Sequence, residues 1–239
     1  MNKIPQIIPS ILEDKFVEIE KKVETISYDS SWVQIDIVDG VYAPYKTWPF
    51  LKTDDEDLKA LVQEDKSLPE WENVSYEFDL MVANPRAVAD TFAMAGASKI
   101  IVHYSSFKDG EEMGVFLREF KNRYTLHGPL SVELGLAIGT DINIEEILKY
   151  KDTVDFVQLM GIDHIGRQGE KFNENTIERV AELKKLAPEM GIQVDGGVKE
   201  EYIQKLVEVG VDRIIVGSAI WKAEDPIEEF EKFLEIASK

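Results

Sequence analysis

The stretch Trp32-Val33-Gln34-Ile35-Asp36-Ile37 decides how this chain folds. Side chains of a β-strand point alternately to opposite faces. The strand therefore turns three branched apolar residues to one face and two polar residues, Gln34 and Asp36, to the other. Because helices cover the apolar face of a parallel sheet, we expect the polar pair to face the inside of a barrel.

The same kind of unit, a short run rich in Val and Ile followed by an amphipathic stretch, recurs eight times in 239 residues. We predict strands at residues 5–10, 32–37, 74–81, 98–104, 131–138, 154–160, 191–195 and 212–217, each followed by a helix. Eight such units are typical of a closed (β/α)8 TIM barrel, an α/β fold of about 250 residues. Residues 1–239 are predicted to form one barrel domain, with a solvated acidic insertion within 41–73.

The composition is acidic and free of cysteine. There are 46 Asp and Glu against 27 Lys and Arg, a formal net charge of −19, which disfavours nucleic acid and anionic membranes as partners. Without cysteine, disulfides, thiolate metal sites and a cysteine nucleophile are excluded. Pro5 and Pro9 interrupt the apolar start of the chain, so we expect no signal peptide, no membrane span and a cytoplasmic location.

Charged residues occupy both ends of the strands predicted to line the barrel interior. Those near strand beginnings carry both signs and are expected to form buried ion pairs at the barrel floor: Glu77, Lys99, Glu133 and Arg213. Asp36, Asp79 and Asp195 lie at C-terminal strand ends, where barrel active sites are built. Three converging carboxylates must share protons or bind a metal ion, unless one or two of them cap helices or turns instead.

Glycine turns follow the seventh and eighth strands. Val194-Asp195-Gly196-Gly197 and Gly217-Ser218-Ala219-Ile220 let backbone N–H groups approach a ligand closely. The loops after these two strands frequently bind phosphate in (β/α)8 barrels. We therefore predict a phosphate site at Gly196, Gly197, Gly217 and Ser218.

Over essentially its whole length, the chain resembles the ribulose-phosphate 3-epimerase family. The segments that carry the resemblance are Ile8-Pro9-Ser10-Ile11-Leu12, Trp32–Gly40 followed by Pro44, Leu80-Met81-Val82 with Asn84-Pro85, Val194-Asp195-Gly196-Gly197, and Gly217-Ser218-Ala219-Ile220 followed by Asp225-Pro226. The resemblance implies a barrel of the ribulose-phosphate-binding type with a phosphorylated sugar as substrate. The implied reaction interconverts ribulose 5-phosphate and xylulose 5-phosphate.

The resemblance also implies roles for single residues. Asp36 and Asp195 match two opposed aspartates that move a proton on and off one carbon through an enediolate. Ser10 matches a substrate contact. Met81 and Met160 match methionines that cap the reaction centre, although plain core filling is the alternative.

Two departures concern the metal site that the resemblance implies, which combines two histidines with the two aspartates. Gln34 and Asp79 stand at the histidine positions. With Asp36 and Asp195 they would form an all-oxygen set, which favours Mg²⁺ or Mn²⁺ over Zn²⁺. The alternative is that no metal binds, with Asp79 protonated or paired and Gln34 hydrogen-bonding.

A third departure lies in the loop after the sixth strand. Gln168 is retained from the phosphate loop that the resemblance implies, whereas Arg167 and His164 are new. Arg167 could bind phosphate bidentately or simply be solvated. His103, at the end of the fourth strand, is expected either to contact the substrate as an electrophile or proton shuttle, or only to hydrogen-bond.

Two other functions remain open at this point. One is a different epimerase, isomerase or lyase acting on a related sugar phosphate, and the other is a non-catalytic phosphosugar-binding barrel. The retained aspartate pair speaks against the second, because a binder needs no two buried acids at a reaction centre. A homo-oligomer is compatible with either function.

Overall fold

Eight parallel strands close into a barrel in which each strand pairs with its neighbours in chain order and β1 pairs with β8. The computed structural model describes residues 4–52, 55–126, 131–165 and 169–239. The strands are Gln6–Ile11 (β1), Trp32–Val38 (β2), Ser75–Met81 (β3), Lys99–His103 (β4), Glu133–Ile138 (β5), Phe156–Met160 (β6), Gly191–Asp195 (β7) and Arg213–Val216 (β8). All begin and end within two residues of the predicted bounds, so the barrel prediction is confirmed.

Helices follow the strands on the outside of the barrel. They are Phe16–Ile26 (α1), Glu56–Val62 (α2), Ala89–Met94 (α3), Gly110–Lys121 (α4), Ile144–Leu148 (α5), Asn175–Leu186 (α6), Glu200–Glu208 (α7), Ser218–Trp221 (α8) and Pro226–Ala237 (α9). Asp225 begins α9 by accepting hydrogen bonds from the N–H groups of Ile227 and Glu228, directly before Pro226 at the first helical position. No described helix is both long and apolar enough to cross a membrane.

The apolar core lies between the strands and the helices. On β2, Val33, Ile35 and Ile37 are at most 1% exposed and belong to this layer. Gln34, by contrast, is fully buried on the inner side of the same strand. On β2 the alternation therefore separates an apolar layer outside the barrel from polar side chains inside it.

Part of segment 41–73 packs against the barrel. Trp48 is 2% exposed, and its indole N–H donates to Asp55 Oδ1 at 2.9 Å. The same carboxylate caps α2 by accepting from the Leu58 N–H. Thr47 Oγ1 donates to the Asp36 carbonyl oxygen at 2.9 Å, which fastens this segment to the end of β2. The solvated insertion stays a prediction for the rest of the segment.

One of the ion pairs predicted at the barrel floor is present, that between Lys99 and Glu77. Lys99 Nζ lies 3.3 Å from Glu77 Oε2, with both side chains almost fully buried, and 3.7 Å from the centre of the Trp32 ring. The prediction is wrong for Glu133, which is exposed because the first residue of β5 lies at the rim. Arg213 donates from Nε to Gln193 Oε1 at 2.7 Å instead of completing an ion-pair cluster.

Candidate active site

Three aspartates converge at the C-terminal ends of the strands. Asp36 and Asp79 are direct partners in the β2–β3 register, and Asp195 is the last residue of β7. One carboxylate oxygen of each lies within 4.8 Å of those of the other two. Asp79 is fully buried and Asp195 is 8% exposed, so water can screen their mutual repulsion only weakly.

A cleft opens above the aspartates. Its walls are Ser10, Leu12, Asp36, Tyr45, Met81, Met160, Ile162, Gly169, Asp195, Gly196, Gly197, Val198, Ile215, Gly217 and Ser218. Asp36 and Asp195 reach this cleft, whereas Asp79 lies beneath it.

The environment shifts the proton affinities of the two aspartates in the cleft. Burial, with a further contribution from the charge of Asp79, raises the pKa of Asp195 to about 7. Loss of solvation, together with the charges of Asp195 and Asp79, raises the pKa of Asp36 well above its usual value. A carboxyl group with a pKa near neutrality is present both as an acid and as a base at physiological pH.

Two glutamine amides connect the three carboxylates. Gln34 Nε2 donates to Asp36 Oδ1 at 2.8 Å and to Asp195 Oδ2 at 2.9 Å. Gln158 Nε2 donates to Asp79 Oδ2 at 2.9 Å and lies 3.5 Å from Asp195 Oδ2. The N–H groups of both amides therefore point toward the aspartates.

Gln158 is a site residue that the sequence analysis missed. It occupies the same face of β6 as Met160, and its Nε2 lies 3.5 Å from the methionine sulfur. Strand alternation alone would have placed it inside the barrel.

A third glutamine lies beneath the first two. Gln193 Nε2 lies 2.7 Å from Glu77 Oε1, 2.8 Å from Gln158 Oε1 and 3.3 Å from Gln34 Oε1. Its own Oε1 accepts the hydrogen bond from Arg213 at the floor. An unbroken set of hydrogen bonds thus runs from the barrel floor to the active-site carboxylates.

His103 lies behind Asp79 and does not line the cleft. Its Nε2 is 2.8 Å from Asp79 Oδ1, and the side chain is 1% exposed. The Tyr42 ring lies 5.1 Å from the imidazole, centre to centre. This geometry matches the hydrogen-bonding alternative, and a substrate contact by His103 stays a prediction.

The glycine turns form one side of the cleft and are tightly packed. Gly196 and Gly197 have φ of 105° and 70°, where side-chain-bearing residues are strained. A Cβ on Gly197 would lie 2.8 Å from the Phe172 backbone nitrogen, and one on Gly217 would lie 2.5 Å from Ser10 Oγ. These glycines thus allow the loops to pack closely against each other. The close approach of a ligand to these turns stays a prediction.

Comparison with known proteins agrees with this geometry. The sequence profile of the Ribulose-phosphate 3 epimerase family matches residues 6–221. The chain belongs to this family. The ribulose-phosphate 3-epimerase of Aquifex aeolicus is 30% identical over 233 residues, covering 92% of this chain and 90% of that protein. The enzyme of Schizosaccharomyces pombe is 28% identical over 225 residues, covering 93% and 90%.

Solved structures share the fold of this ribulose-phosphate 3-epimerase family member. KGPDC from Streptococcus mutans in complex with D-R5P has a TM-score of 0.73 at 14% identity, covering 99% of this chain and 98% of that chain. The 3-hexulose-6-phosphate synthase from Salmonella typhimurium has a TM-score of 0.65 at 17% identity, covering 98% of each chain. At these identities the likeness concerns the barrel alone.

The donor set fits only part of the metal site implied by the resemblance to the epimerase family. The oxygens of Asp36, Asp79 and Asp195 are close enough together to hold a metal ion. Gln34 contributes no oxygen, because its N–H groups face Asp36 and Asp195 while its carbonyl faces Gln193. The four-oxygen set predicted from the sequence is therefore reduced to three aspartates in this arrangement.

The loop after β6 is described only in part. Arg167 and Gln168 lie outside the described residues, so their phosphate-binding roles stay predictions. His164 is exposed, with Nδ1 3.5 Å from Glu170 Oε2. The geometry of His164 gives it no place on the cleft wall.

Proposed function

We propose that this protein interconverts ribulose 5-phosphate and xylulose 5-phosphate by proton transfer between Asp36 and Asp195. The observation that carries the proposal is that both aspartates reach one cleft in a member of the ribulose-phosphate 3-epimerase family. Their raised pKa values support it, because an epimerase must remove a proton with one group and return one with another.

The reaction needs one ionised and one protonated carboxyl group. The ionised aspartate takes the proton from C3 of the sugar, and the electron pair of the broken C–H bond moves into an enediolate at C2 and C3. The protonated aspartate then gives its proton to C3 on the opposite face. Since the roles reverse with the direction of the reaction, each group must serve as both acid and base.

The remaining cleft residues would bind and enclose the substrate. We assign the phosphate to the backbone of Gly196, Gly197 and Gly217, with Ser10 and Ser218 beside it, because these residues line one side of the cleft. Met81 and Met160 would cover the enediolate with apolar surface that excludes water. Arg167 and Gln168 are assigned to the same phosphate.

A cation at the aspartate cluster would have Asp36, Asp79 and Asp195 as its protein ligands. Carboxylate oxygens favour Mg²⁺ or Mn²⁺ over Zn²⁺, which is why we assign a harder metal to any loaded form. A metal ion here would supply positive charge next to the enediolate oxygens. The cytoplasmic location and a possible homo-oligomer are retained as predictions.

A second candidate is proton transfer on a related sugar phosphate. It is favoured by Gln34 and Asp79, which stand where the resemblance implies metal-binding histidines. The aspartate pair serves any substrate with an acidic C–H next to a carbonyl, so the identity of the sugar depends on the rest of the cleft.

Incubation with ribulose 5-phosphate in deuterated water tests the proposal. We expect xylulose 5-phosphate to form with deuterium at C3, and no reaction with unphosphorylated ribulose. Asp36→Asn and Asp195→Asn should each lower kcat by at least about 10²-fold, since a positioned acid or base contributes this much. Asp152→Asn, at an exposed aspartate, serves as the matched control. Near-normal deuterium incorporation by either cleft variant would exclude the two-aspartate mechanism.

A further inference from the structure

The three stacked glutamines suggest how the aspartates are held in place. We infer that Gln193 is a positioning residue. Anchored by Arg213, it turns the N–H groups of two glutamines toward the active-site aspartates. Those N–H groups then stabilise the charge on the carboxylates, as a bound cation would. This inference rests on the proposed function for its catalytic consequence, but its geometric part stands without it.

The anchor fixes the orientation of the Gln193 amide. A guanidinium group has only N–H donors and cannot accept a hydrogen bond. The group that faces Arg213 Nε at 2.7 Å must therefore be the Gln193 carbonyl oxygen. Arg213 is itself held over the Phe156 ring, with its guanidinium carbon 4.3 Å from the ring centre. Gln193 is fully buried and has no solvent to replace these partners.

The orientation of Gln193 determines that of the two glutamines above it. With its oxygen toward Arg213, Gln193 turns its amide nitrogen to three oxygens, Glu77 Oε1 at 2.7 Å, Gln158 Oε1 at 2.8 Å and Gln34 Oε1 at 3.3 Å. The two N–H groups of this amide face only oxygens, and a glutamine turned the other way would set its own N–H groups against them, so both upper glutamines direct their carbonyl oxygens downward. Their N–H groups are then left to face the carboxylates.

The result is a site lined with N–H donors. The donors of Gln34 bridge Asp36 and Asp195, and those of Gln158 bridge Asp79 and Asp195. An N–H donor stabilises a carboxylate, as a cation does, but it repels a cation placed beside it. We therefore expect proton transfer to proceed without a divalent metal in this member of the family.

Gln193→Glu tests the inference because it keeps an acceptor for Arg213 and removes the N–H donors. Gln34 and Gln158 would then have a carboxylate below them, so their amides should invert and direct carbonyl oxygens at the aspartates. We expect the variant to gain one bound Mn²⁺ per chain, measured by electron paramagnetic resonance, while the wild type binds none at the same concentration. Since Gln193 does not line the cleft, kcat should fall by at least about tenfold with KM unchanged.

Gln204→Glu is the matched control. It makes the same amide-to-carboxylate change on α7, where the amide donates to the Ile236 carbonyl far from the cleft. It adds the same negative charge, so any Mn²⁺ bound through charge alone would appear in both variants. We expect no gain in Mn²⁺ binding and no change in kcat for Gln204→Glu.

A measurement on the wild type decides the question even if Gln193→Glu fails to fold. In ¹⁵N-edited NMR spectra, the side-chain N–H protons of Gln34 should show cross-relaxation to the β-protons of Asp36 and Asp195. Cross-relaxation to Gln193 instead, or a wild type that binds one Mn²⁺ as tightly as the variant, would overturn the inference. Neither measurement needs the substrate, so a failure of the proposed function would be seen separately, as missing turnover.

Discussion

Replacing Asp195 by asparagine should stabilise the folded protein at alkaline pH while removing its activity. Burial and the charge of Asp79 raise the pKa of Asp195 from 3.8 to about 7. Between these two values the folded protein holds a proton that the unfolded chain releases. Stability therefore falls as the pH rises through this window, and the full penalty is present above the folded-state pKa.

The size of the effect follows from the shift. Each pH unit corresponds to about 1.4 kcal/mol, so a shift from 3.8 to about 7 corresponds to about 4 kcal/mol. Asparagine never ionises, and its Oδ1 can still accept the hydrogen bond that Gln34 donates at 2.9 Å. Because neighbouring acids also titrate, we expect the stability difference between variant and wild type to widen by about 2 to 3 kcal/mol from about pH 5 to pH 8.

Guanidinium unfolding at pH 5 and at pH 8 measures this difference. The control variant is Glu231→Gln, which changes an exposed acid on α9. Comparing variant with wild type cancels the other groups that titrate in this range. A difference that stays constant between the two pH values would show that Asp195 is not the acid held with a raised pKa. Loss of turnover in the stabilised variant would show that the reaction needs the carboxyl group whose charge destabilises the fold.

Three further predictions concern the rest of the barrel. Gly197→Val should lower the Tm and weaken ribulose 5-phosphate binding at least about tenfold, measured by calorimetry, because its Cβ would lie 2.8 Å from the backbone of the β6–α6 loop. Unchanged binding would show that this turn is not part of the phosphate site. The double variant Gln34→His with Asp79→His should bind one Zn²⁺ by metal analysis, and a folded protein without zinc would show that the strand ends do not converge as described. Lys99→Met should cost about 3 to 5 kcal/mol in chemical unfolding by leaving the buried Glu77 carboxylate without its ion-pair partner. Adding Glu77→Gln should recover most of this cost, and no recovery would contradict the pairing.

Strand alternation predicted the barrel and much of its interior from the sequence. It placed Gln34, Asp36 and Asp79 inside because period-two patterning leaves little choice once the apolar face is known. It misjudged Glu133, because alternation gives the direction of a side chain but not its depth below the rim. Depth depends on the stagger between neighbouring strands, which is a property of the closed barrel.

The amide orientations were beyond the reach of sequence reasoning. Gln34 could be assigned as a ligand from its residue type, but whether its oxygen or its nitrogen faces the aspartates depends on Gln193 and Arg213 on two other strands. The partner of His103 likewise depends on packing across the barrel. Such contacts join residues at least 20 positions apart, and no local pattern records them.

The separation between the apolar layer and the polar interior has an evolutionary consequence. Folding is driven mainly by the burial of apolar side chains between strands and helices, and the polar residues inside the barrel contribute little to this driving force. Mutations at interior positions can therefore accumulate while the barrel persists, provided that each new polar group finds a partner. Selection can then alter the chemistry of one interior layer at a time, and a lineage can exchange two metal-binding imidazoles for a glutamine amide and a carboxylate without passing through an unfolded ancestor.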